Sequence, residues 1–322
     1  MKAVLFYPGN GSLRYTDIPE PVPQKEDEFL MTVKAVAIKH LDRSRATGKH
    51  YSSATPSENG RVIGSDGVGI LPDGRRVYAF STTGMLAEKA VVERDRIVPL
   101  PDGLDDATAA ALPNAVIGAA IGLKFKADIQ PGDVVLFNGA TGFTGRMAVQ
   151  LAKYYGARLV IATGRTPESL NELRSLGADV TLSITDEETF RTALKTLHND
   201  TPFDVVIDYL WGHTAEQILN AIKGNGSFTN KVRFVSVGSV TGDIVQLSAA
   251  VLRSVDLQLT GSGMGAWSKA QVRKLFGEIL PETFGLAAAG KLSVATTKVD
   301  WQDGTGFWNA DVPPGRRLVV TL

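Results

Sequence analysis

Three glycines spaced three residues apart, Gly139, Gly142 and Gly145, stand between an apolar run and an amphipathic run. The run at 134–138 is β-rich without polar alternation, which is typical of a strand covered on both faces. The run at 146–155 repeats its apolar residues every 3.6 positions and predicts a helix. Such a strand–turn–helix brings backbone N–H groups close to a pyrophosphate. The stretch predicts a dinucleotide-binding turn, with a plain tight turn as the alternative.

The second strand of this pattern, at 158–163, ends in Gly164 and Arg165 without a carboxylate. In this class of turn, an acid at that point binds the ribose 2′-hydroxyl of NAD. A guanidinium binds phosphate bidentately, whereas an acid would repel it. The pattern therefore predicts NADPH, with Arg165 at the 2′-phosphate. The alternative is that Arg165 is a solvated surface charge. The residues predicted to hold the cofactor in this region are Gly139, Thr141, Gly142, Phe143, Thr144, Gly145, Gly164 and Arg165.

Strands and helices alternate from residue 133 to about residue 260. Helical patterns at 187–197 and 215–222 separate the later β-rich runs, which lie at 180–182, 203–208, 232–238 and 257–260. Six strands joined by helices predict a doubly wound parallel (Rossmann) sheet, because parallel neighbours need long crossovers. Ligands bind such sheets beyond the carboxyl ends of the strands. We therefore expect the nicotinamide carboxamide to contact Val237, Gly238, Ser239 and Ser262.

The sequence on either side of this region has a different pattern, without the regular alternation of strands and helices. Short β-rich runs, such as 29–38 and 76–80, are broken by prolines and Pro-Asp-Gly turns. A helix at 272–279 and a closing strand at 317–322 end the chain. These patterns indicate an antiparallel β domain built from both chain ends, into which the nucleotide domain is inserted. The predicted domains are 1–115 with 266–322, and 116–265.

The amino-acid composition excludes several classes of function. Lysine plus arginine and aspartate plus glutamate both number 34, so there is no basic excess for nucleic acid or an anionic membrane. There is no cysteine, which excludes disulfides, thiolate nucleophiles and cysteine-based zinc sites. The first residues stop being apolar too soon for a signal peptide, and no apolar run approaches about 20 residues. We expect a cytoplasmic protein with no membrane, nucleic-acid or metal partner.

Six short segments occur in an order that is typical of one superfamily: 17–21, 36–42, 63–69, 109–113, 129–133 and 176–179. Over essentially its whole length the chain resembles the medium-chain dehydrogenase/reductase superfamily, and within it the zinc-independent quinone oxidoreductase branch. The resemblance implies a GroES-like antiparallel β domain beside the Rossmann sheet. It also implies hydride transfer from NADPH to a quinone or an α,β-unsaturated carbonyl (enone), and a homodimer formed through the nucleotide domain.

Departures from the zinc-dependent members of that superfamily are informative. Those members place a cysteine ligand at the position of Lys39 and a His-Glu pair at the positions of Ser65 and Asp66, so a Lewis-acid mechanism is not expected here. We hypothesise that Lys39 and Asp66 form a charge pair in place of the ion. The alternative is two polar residues that line a wet cleft. The candidate catalytic residues taken from this resemblance are Lys39, Asp42, Tyr51 and Asp66.

Two further alternatives concern function. A short-chain reductase needs a Tyr-x-x-x-Lys motif, and none of the seven tyrosines has a lysine four residues later. A non-catalytic NADPH-binding sensor or regulatory protein of the same fold stays open, because no clear proton donor is visible and fold does not fix function. Trp211, after the fourth strand of the sheet, either borders the nicotinamide or packs in the core.

Overall fold

The structure, a computed structural model, describes residues 1–48, 60–227 and 229–322. The chain forms two compact units, which we call the β unit (Met1–Asn114 with Arg273–Leu322) and the α/β unit (Ala115–Val272). The strands are β1 Lys2–Tyr7, β2 Ser12–Asp17, β3 Glu28–Ile38, β4 Arg61–Val62, β5 Asp66–Ile70, β6 Arg76–Ser81, β7 Lys89–Pro99, β8 Val134–Asn138, β9 Leu159–Gly164, β10 Val180–Ser183, β11 Val205–Asp208, β12 Val232–Ser236, β13 Leu257–Gly261, β14 Thr296–Asp300 and β15 Arg317–Thr321. The α-helices are α1 His40–Ala46, α2 Asp106–Ile121, α3 Phe143–Tyr154, α4 Pro167–Ser175, α5 Glu187–Asp200, α6 Gly212–Ala221, α7 Ala249–Ser254, α8 Lys269–Lys274 and α9 Leu280–Ala288.

The α/β unit contains a six-stranded parallel sheet in the order β10-β9-β8-β11-β12-β13. Every residue of β8 and of β11 is buried, as their apolar sequences require of strands covered by helices on both faces. The chain builds outward from β8 in one direction to β10 and in the other to β13. The strand order therefore reverses between β8 and β11, and a crevice opens there at the carboxyl ends. The predicted doubly wound sheet is confirmed.

The β unit contains a six-stranded sheet in the order β14-β15-β3-β5-β6-β7 and a three-stranded sheet in the order β2-β1-β4. The strand β3 pairs with both β5 and β7, so the larger sheet closes on itself around an apolar core. Its pairs are antiparallel except for β14 with β15, which run parallel. The predicted β domain built from both chain ends is therefore present, as a mixed sheet.

Several element boundaries differ from the sequence prediction. The helix α6 begins at Gly212, three residues before the expected start, because the chain turns directly out of β11. The helix expected at 272–279 is the middle of a continuous helical run, in which a π-helical segment, Leu275–Ile279, joins α8 to α9. The helix α2 and the strand β14 were not predicted. The residues of α2 are apolar on every face of the helix, so the sequence lacks the 3.6-residue alternation of apolar and polar residues that marks a surface helix.

The helix α2 continues as a π-helical segment, Gly122–Lys126. The combined stretch Asp106–Lys126 has 21 residues and is long and apolar enough, by length and composition, to cross a membrane. The prediction that no apolar run approaches this length is therefore wrong. In its most apolar window 67% of the residues are buried inside the protein, as in a core helix of a soluble protein.

The pKa values of two histidines in the α/β unit are shifted in opposite directions from the ordinary histidine value of 6.5. Burial lowers the pKa of His198, whose Nδ1 accepts the backbone N–H of Phe203 at 3.1 Å. A hydrogen bond to Glu187, with Nε2 and Oε1 2.9 Å apart, raises the pKa of His213. The depressed pKa means that protonation of His198 favours the unfolded chain, so its effect is to weaken the fold as the pH falls below 6.5.

NMR titration of the histidine ring protons, assigned with His198→Gln and His213→Gln variants, measures both midpoints. We expect the His198 midpoint below that of His213. A His198 midpoint equal to or above that of His213 would contradict the packing described for the end of α5.

Candidate functional site

The glycine turn joins β8 to α3 and leaves the first turn of that helix open. Gly139 has a φ of +81°, which favours glycine, and a Cβ on Gly142 would find no described atom within 4 Å. A Cβ on Gly145 would stand 2.5 Å from Ala140 Cα, so this glycine allows close packing of α3 on the turn. Among the described residues no side chain caps α3, and its first turn carries no acid. The backbone N–H groups of this first turn therefore suit a phosphate.

Buried polar side chains tie the carboxyl ends of β8, β9 and β11 together. Asn138 Nδ2 donates to Asp208 Oδ1 at 2.8 Å and to Thr214 Oγ1 at 3.0 Å. Thr163 Oγ1 donates to Asn138 Oδ1 at 3.1 Å and accepts the backbone N–H of Gly139 at 2.9 Å. Asn138, Thr163 and Asp208 are completely buried. This strand-end network fixes the start of the glycine turn relative to three strands.

The same network holds the loop after β11. The Asp208 carboxylate accepts the backbone N–H groups of Leu210 at 2.9 Å and Trp211 at 3.1 Å. Burial raises the pKa of Asp208, and the bonds from Leu210, Trp211 and Asn138 oppose that rise. Trp211 has a φ of +61° and a ψ of −160°, a region that residues other than glycine rarely adopt.

Arg165 lies directly after β9 and is exposed. It has no hydrogen-bond or ion-pair partner within 1–48, 60–227 and 229–322. The preceding Gly164 is close to the glycine turn, because a Cβ on it would overlap Thr141 Cγ2. The charge of Arg165 is therefore available to an anion next to that turn.

A cavity of about 320 Å³ opens beyond the carboxyl ends of β11, β12 and β13. Neighbouring strands lie about 4.8 Å apart, so the cavity is some 10–19 Å from the end of β9, on the other side of the glycine turn. Val237 and Gly238 donate their N–H groups to the Asp208 carbonyl at 2.8 and 3.2 Å. The lining residues are Trp211, Ser236, Val237, Gly238, Ser239, Asp243, Gly261, Ser262, Gly263 and Ala266.

The β unit holds a buried cluster of opposite charges. Lys39 Nζ lies 2.5 Å from Asp66 Oδ1 and 3.3 Å from Asp42 Oδ2. Ser65 Oγ donates to Asp66 Oδ1 at 2.8 Å, and Tyr78 Oη donates to Asp66 Oδ2, also at 2.8 Å. Lys39, Asp42 and Asp66 are 2%, 5% and 3% exposed. Lys39 and Asp66 therefore form an ion pair out of contact with water.

Burial and the neighbouring charges shift the pKa values of Lys39, Tyr78 and Arg317. Burial would lower the pKa of Lys39, but the attraction of Asp42 and Asp66 outweighs it, so the pKa of this ammonium is raised. Burial and the charge of Asp66 raise the pKa of Tyr78, so its hydroxyl stays a donor. Burial lowers the pKa of Arg317 to about 10, against the attraction of both carboxylates. Lysine and arginine therefore remain charged at neutral pH.

Comparison with known proteins identifies the family. The zinc-binding dehydrogenase family model matches residues 144–280. A probable NADPH-dependent quinone reductase of Emericella nidulans is 29% identical over 90% of this chain and 92% of its own length. The solved quinone oxidoreductase of Thermus thermophilus, also described in complex with NADPH, is 26% identical with a TM-score of 0.77 over 100% of both chains. The chain is a member of the medium-chain dehydrogenase/reductase superfamily, in its quinone oxidoreductase branch.

A further relative in this superfamily is the NADPH-dependent alkenal/one oxidoreductase of Arabidopsis thaliana chloroplasts. It is 35% identical over 52% of this chain and 47% of its own length. Relatives of this medium-chain reductase thus include proteins named for quinones and for alkenals or alkenones.

Within the medium-chain reductase, the structure separates the predicted site residues into three groups. Lys39, Asp42 and Asp66 come together in the buried charge cluster, and the residues of the glycine turn lie beside Gly164 and Arg165. Val237, Gly238, Ser239 and Ser262 line the cavity at the carboxyl ends of β11 to β13. Tyr51 lies outside the described residues.

Sequence reasoning missed the residues that support these groups. Tyr78 lies in the middle of β6, where the sequence shows only an aromatic residue within a β-rich run. The pairing of the strands brings its hydroxyl to Asp66. Asn138 and Asp208 each end a buried strand, and polar residues at paired strand ends were a signal that could have found them. The positive φ of Trp211 has no signature in the sequence.

Lys39→Met is expected to lower the free energy of unfolding by about 3–5 kcal/mol, because it leaves Asp42 and Asp66 buried without their closest counter-charge. Urea denaturation at pH 7 measures this change. The control is Lys2→Met, which removes an exposed ion pair with 2.5 Å between Lys2 Nζ and Asp17 Oδ2 and should leave the midpoint unchanged. Equal midpoints for the parent and Lys39→Met would show that the cluster does not hold the β unit together.

Proposed function

We propose that this medium-chain reductase transfers hydride from NADPH to a quinone or an α,β-unsaturated carbonyl. The observation that carries the proposal is the uncapped N-terminus of α3, open at Gly142, next to an exposed Arg165. A dianionic 2′-phosphate needs a cation at that place and is repelled by an acid. The names of the relatives from Emericella nidulans and Arabidopsis thaliana support the same cofactor and both substrate classes.

The residues present fit this cofactor along the whole edge of the sheet. Gly142 and the first turn of α3 would hold the pyrophosphate, with Thr141, Phe143 and Thr144 around it, and Arg165 would hold the 2′-phosphate. The backbone of Val237, Gly238 and Ser239, with Ser262, would hold the nicotinamide carboxamide. The bound cofactor supplies the hydride, and the protein supplies orientation and exclusion of water.

We propose that the medium-chain reductase works without zinc. The reason lies in the donors present: the ammonium of Lys39 stands where zinc-dependent members have a cysteine ligand, and an ammonium donates hydrogen bonds but binds no cation. Lys39, Asp42 and Asp66 have buried partners in the structure, so we assign them the task of fixing the junction between β3 and α1. Tyr51 stays a candidate for contact with the substrate.

The same proposal covers the domain roles, the assembly and the location. Residues 116–265 form the NADPH-binding domain, and residues 1–115 with 266–322 form the substrate domain. A homodimer through the nucleotide domain is supported by the two edge strands of the parallel sheet, β10 and β13, either of which could pair with a second copy. A cytoplasmic location stays a prediction.

Arg165→Ala is expected to weaken NADPH binding about 10- to 100-fold and to leave NADH binding unchanged, because only NADPH carries the phosphate. Fluorescence titration with each cofactor measures both affinities. Arg174→Ala is the matched control, since Arg174 is another exposed arginine, on α4, and bonds to Asn171. Equal affinity of the parent protein for NADPH and NADH, or an unchanged ratio in Arg165→Ala, would defeat the assignment.

Steady oxidation of NADPH in the presence of small quinones and enones is expected for the purified protein. Absorbance at the reduced-nicotinamide band follows the reaction, and assays with NADH report the preference. Tight binding of NADPH without oxidation across the panel would favour the non-catalytic sensor of the same fold.

A homodimer is expected to persist on dilution to the low micromolar range. Analytical ultracentrifugation at several concentrations measures the mass against the 34.4 kDa chain. A monomer at every concentration would contradict the proposed homodimer.

A further inference from the structure

Trp211 has a backbone conformation that is costly for any side chain. Its φ of +61° and ψ of −160° fall in a region that only glycine adopts without strain. Among the described residues, the other non-glycine with a positive φ is Asp128, a residue type that tolerates such values. A bulky residue in this region persists only where the surroundings hold it in place, and such positions cluster at ligand sites.

The surroundings of Trp211 hold its backbone from both sides. Asp208 accepts the N–H of Trp211, with Oδ1 at 3.1 Å and Oδ2 at 3.2 Å from the nitrogen. Thr241 Oγ1 lies 3.0 Å from the Trp211 carbonyl oxygen and 3.1 Å from that of Leu210, and donates toward them. The completely buried Asp208 is in turn held by Asn138. The strained peptide is therefore fixed by the strand-end network.

This backbone sets where the indole lies. Trp211 is half-buried and lines the cavity together with Val237, Gly238 and Ser262. Its ring meets Phe234 of β12 edge-on, with centroids 6.2 Å apart, so the core supports one part of the indole. Trp211 as a residue also lines the open space of about 320 Å³. A rigid, flat, apolar surface supported in this way suits another flat ring.

We propose that Trp211 is a cofactor-binding residue whose indole is the platform for the nicotinamide ring, and that the strained backbone is retained to present it. This inference rests on the proposed use of NADPH. It assigns an aromatic contact to the nicotinamide half of the cofactor, separate from the phosphate contacts made by the glycine turn and Arg165.

Three substitutions separate the effect of the indole ring from the effect of the backbone strain at position 211. Trp211→Phe keeps a flat ring and the strain, Trp211→Ala keeps the strain and removes the ring, and Trp211→Gly removes both. Each variant is titrated with NADPH and with 2′-phospho-ADP-ribose, which has the 2′-phosphate and pyrophosphate but no nicotinamide. Thermal unfolding without ligand is measured in parallel.

We expect Trp211→Ala and Trp211→Gly to bind NADPH about 10-fold more weakly and Trp211→Phe to stay within about 3-fold of the parent, since an aromatic contact is worth roughly that factor. Binding of 2′-phospho-ADP-ribose should be unchanged in all three. Trp211→Gly should melt at a higher temperature than Trp211→Ala, because both lose the indole and only glycine relieves the strain.

Each other result has a defined meaning. Unchanged NADPH affinity in Trp211→Ala, or an equal loss for NADPH and 2′-phospho-ADP-ribose, overturns the assignment of the nicotinamide platform. A melting temperature of Trp211→Gly at or below that of Trp211→Ala overturns the role of strain. If the parent protein binds neither ligand, the proposed function itself fails, which is a distinct outcome.

Discussion

The hydrogen bonds among Asn138, Thr163 and Asp208 are the constraint on which the nucleotide side of the molecule depends. They join the ends of three parallel strands inside the protein, where no water competes for the same groups. Through Gly139 they set the start of the glycine turn, and through Asp208 they set the loop that carries Trp211. The proposed phosphate site at β8 and the proposed ring site at β11 would therefore keep a fixed separation, as a dinucleotide of fixed length requires.

The β unit depends on a different interaction, a buried cluster of opposite charges. Lys39, Asp42 and Asp66 are each less than a tenth exposed. Burying any one of these charges alone would be costly, and burying them together lets each charge have an opposite partner. Ser65 and Tyr78 donate to the Asp66 oxygens, so the cluster is satisfied by hydrogen bonds as well as by charge. Replacing such a cluster by an apolar core is often neutral for stability, whereas the cluster favours one arrangement of its partners. Here that arrangement sets how β3 passes into α1 at Lys39.

The parts that followed from the sequence are those encoded locally. The apolar strand before Gly139, the period of α3 and the arginine after Gly164 each carry their meaning in a few adjacent residues, so the parallel sheet and its turn were predictable. The pairing of Lys39 with Asp66, 27 positions apart, was reached through resemblance and left an alternative open, because spacing alone does not bring such residues together. Tyr78 was missed for the same reason, whereas Asn138 and Asp208 had a local signal, a polar residue at the end of each paired strand. The uniform apolarity of α2 hid a helix, and the positive φ of Trp211 depends on hydrogen bonds with the nearby Asp208 and the distant Thr241 that no sequence pattern indicates.

The conformation of Trp211 also has an evolutionary consequence. With glycine at 211, a substitution of Asp208 or Thr241 removes hydrogen bonds from a relaxed peptide, whereas with tryptophan the same substitution releases a strained one. We therefore expect the three positions to be epistatic. A protein with tryptophan at 211 should tolerate the loss of the acid or of the hydroxyl less well than a protein with glycine there.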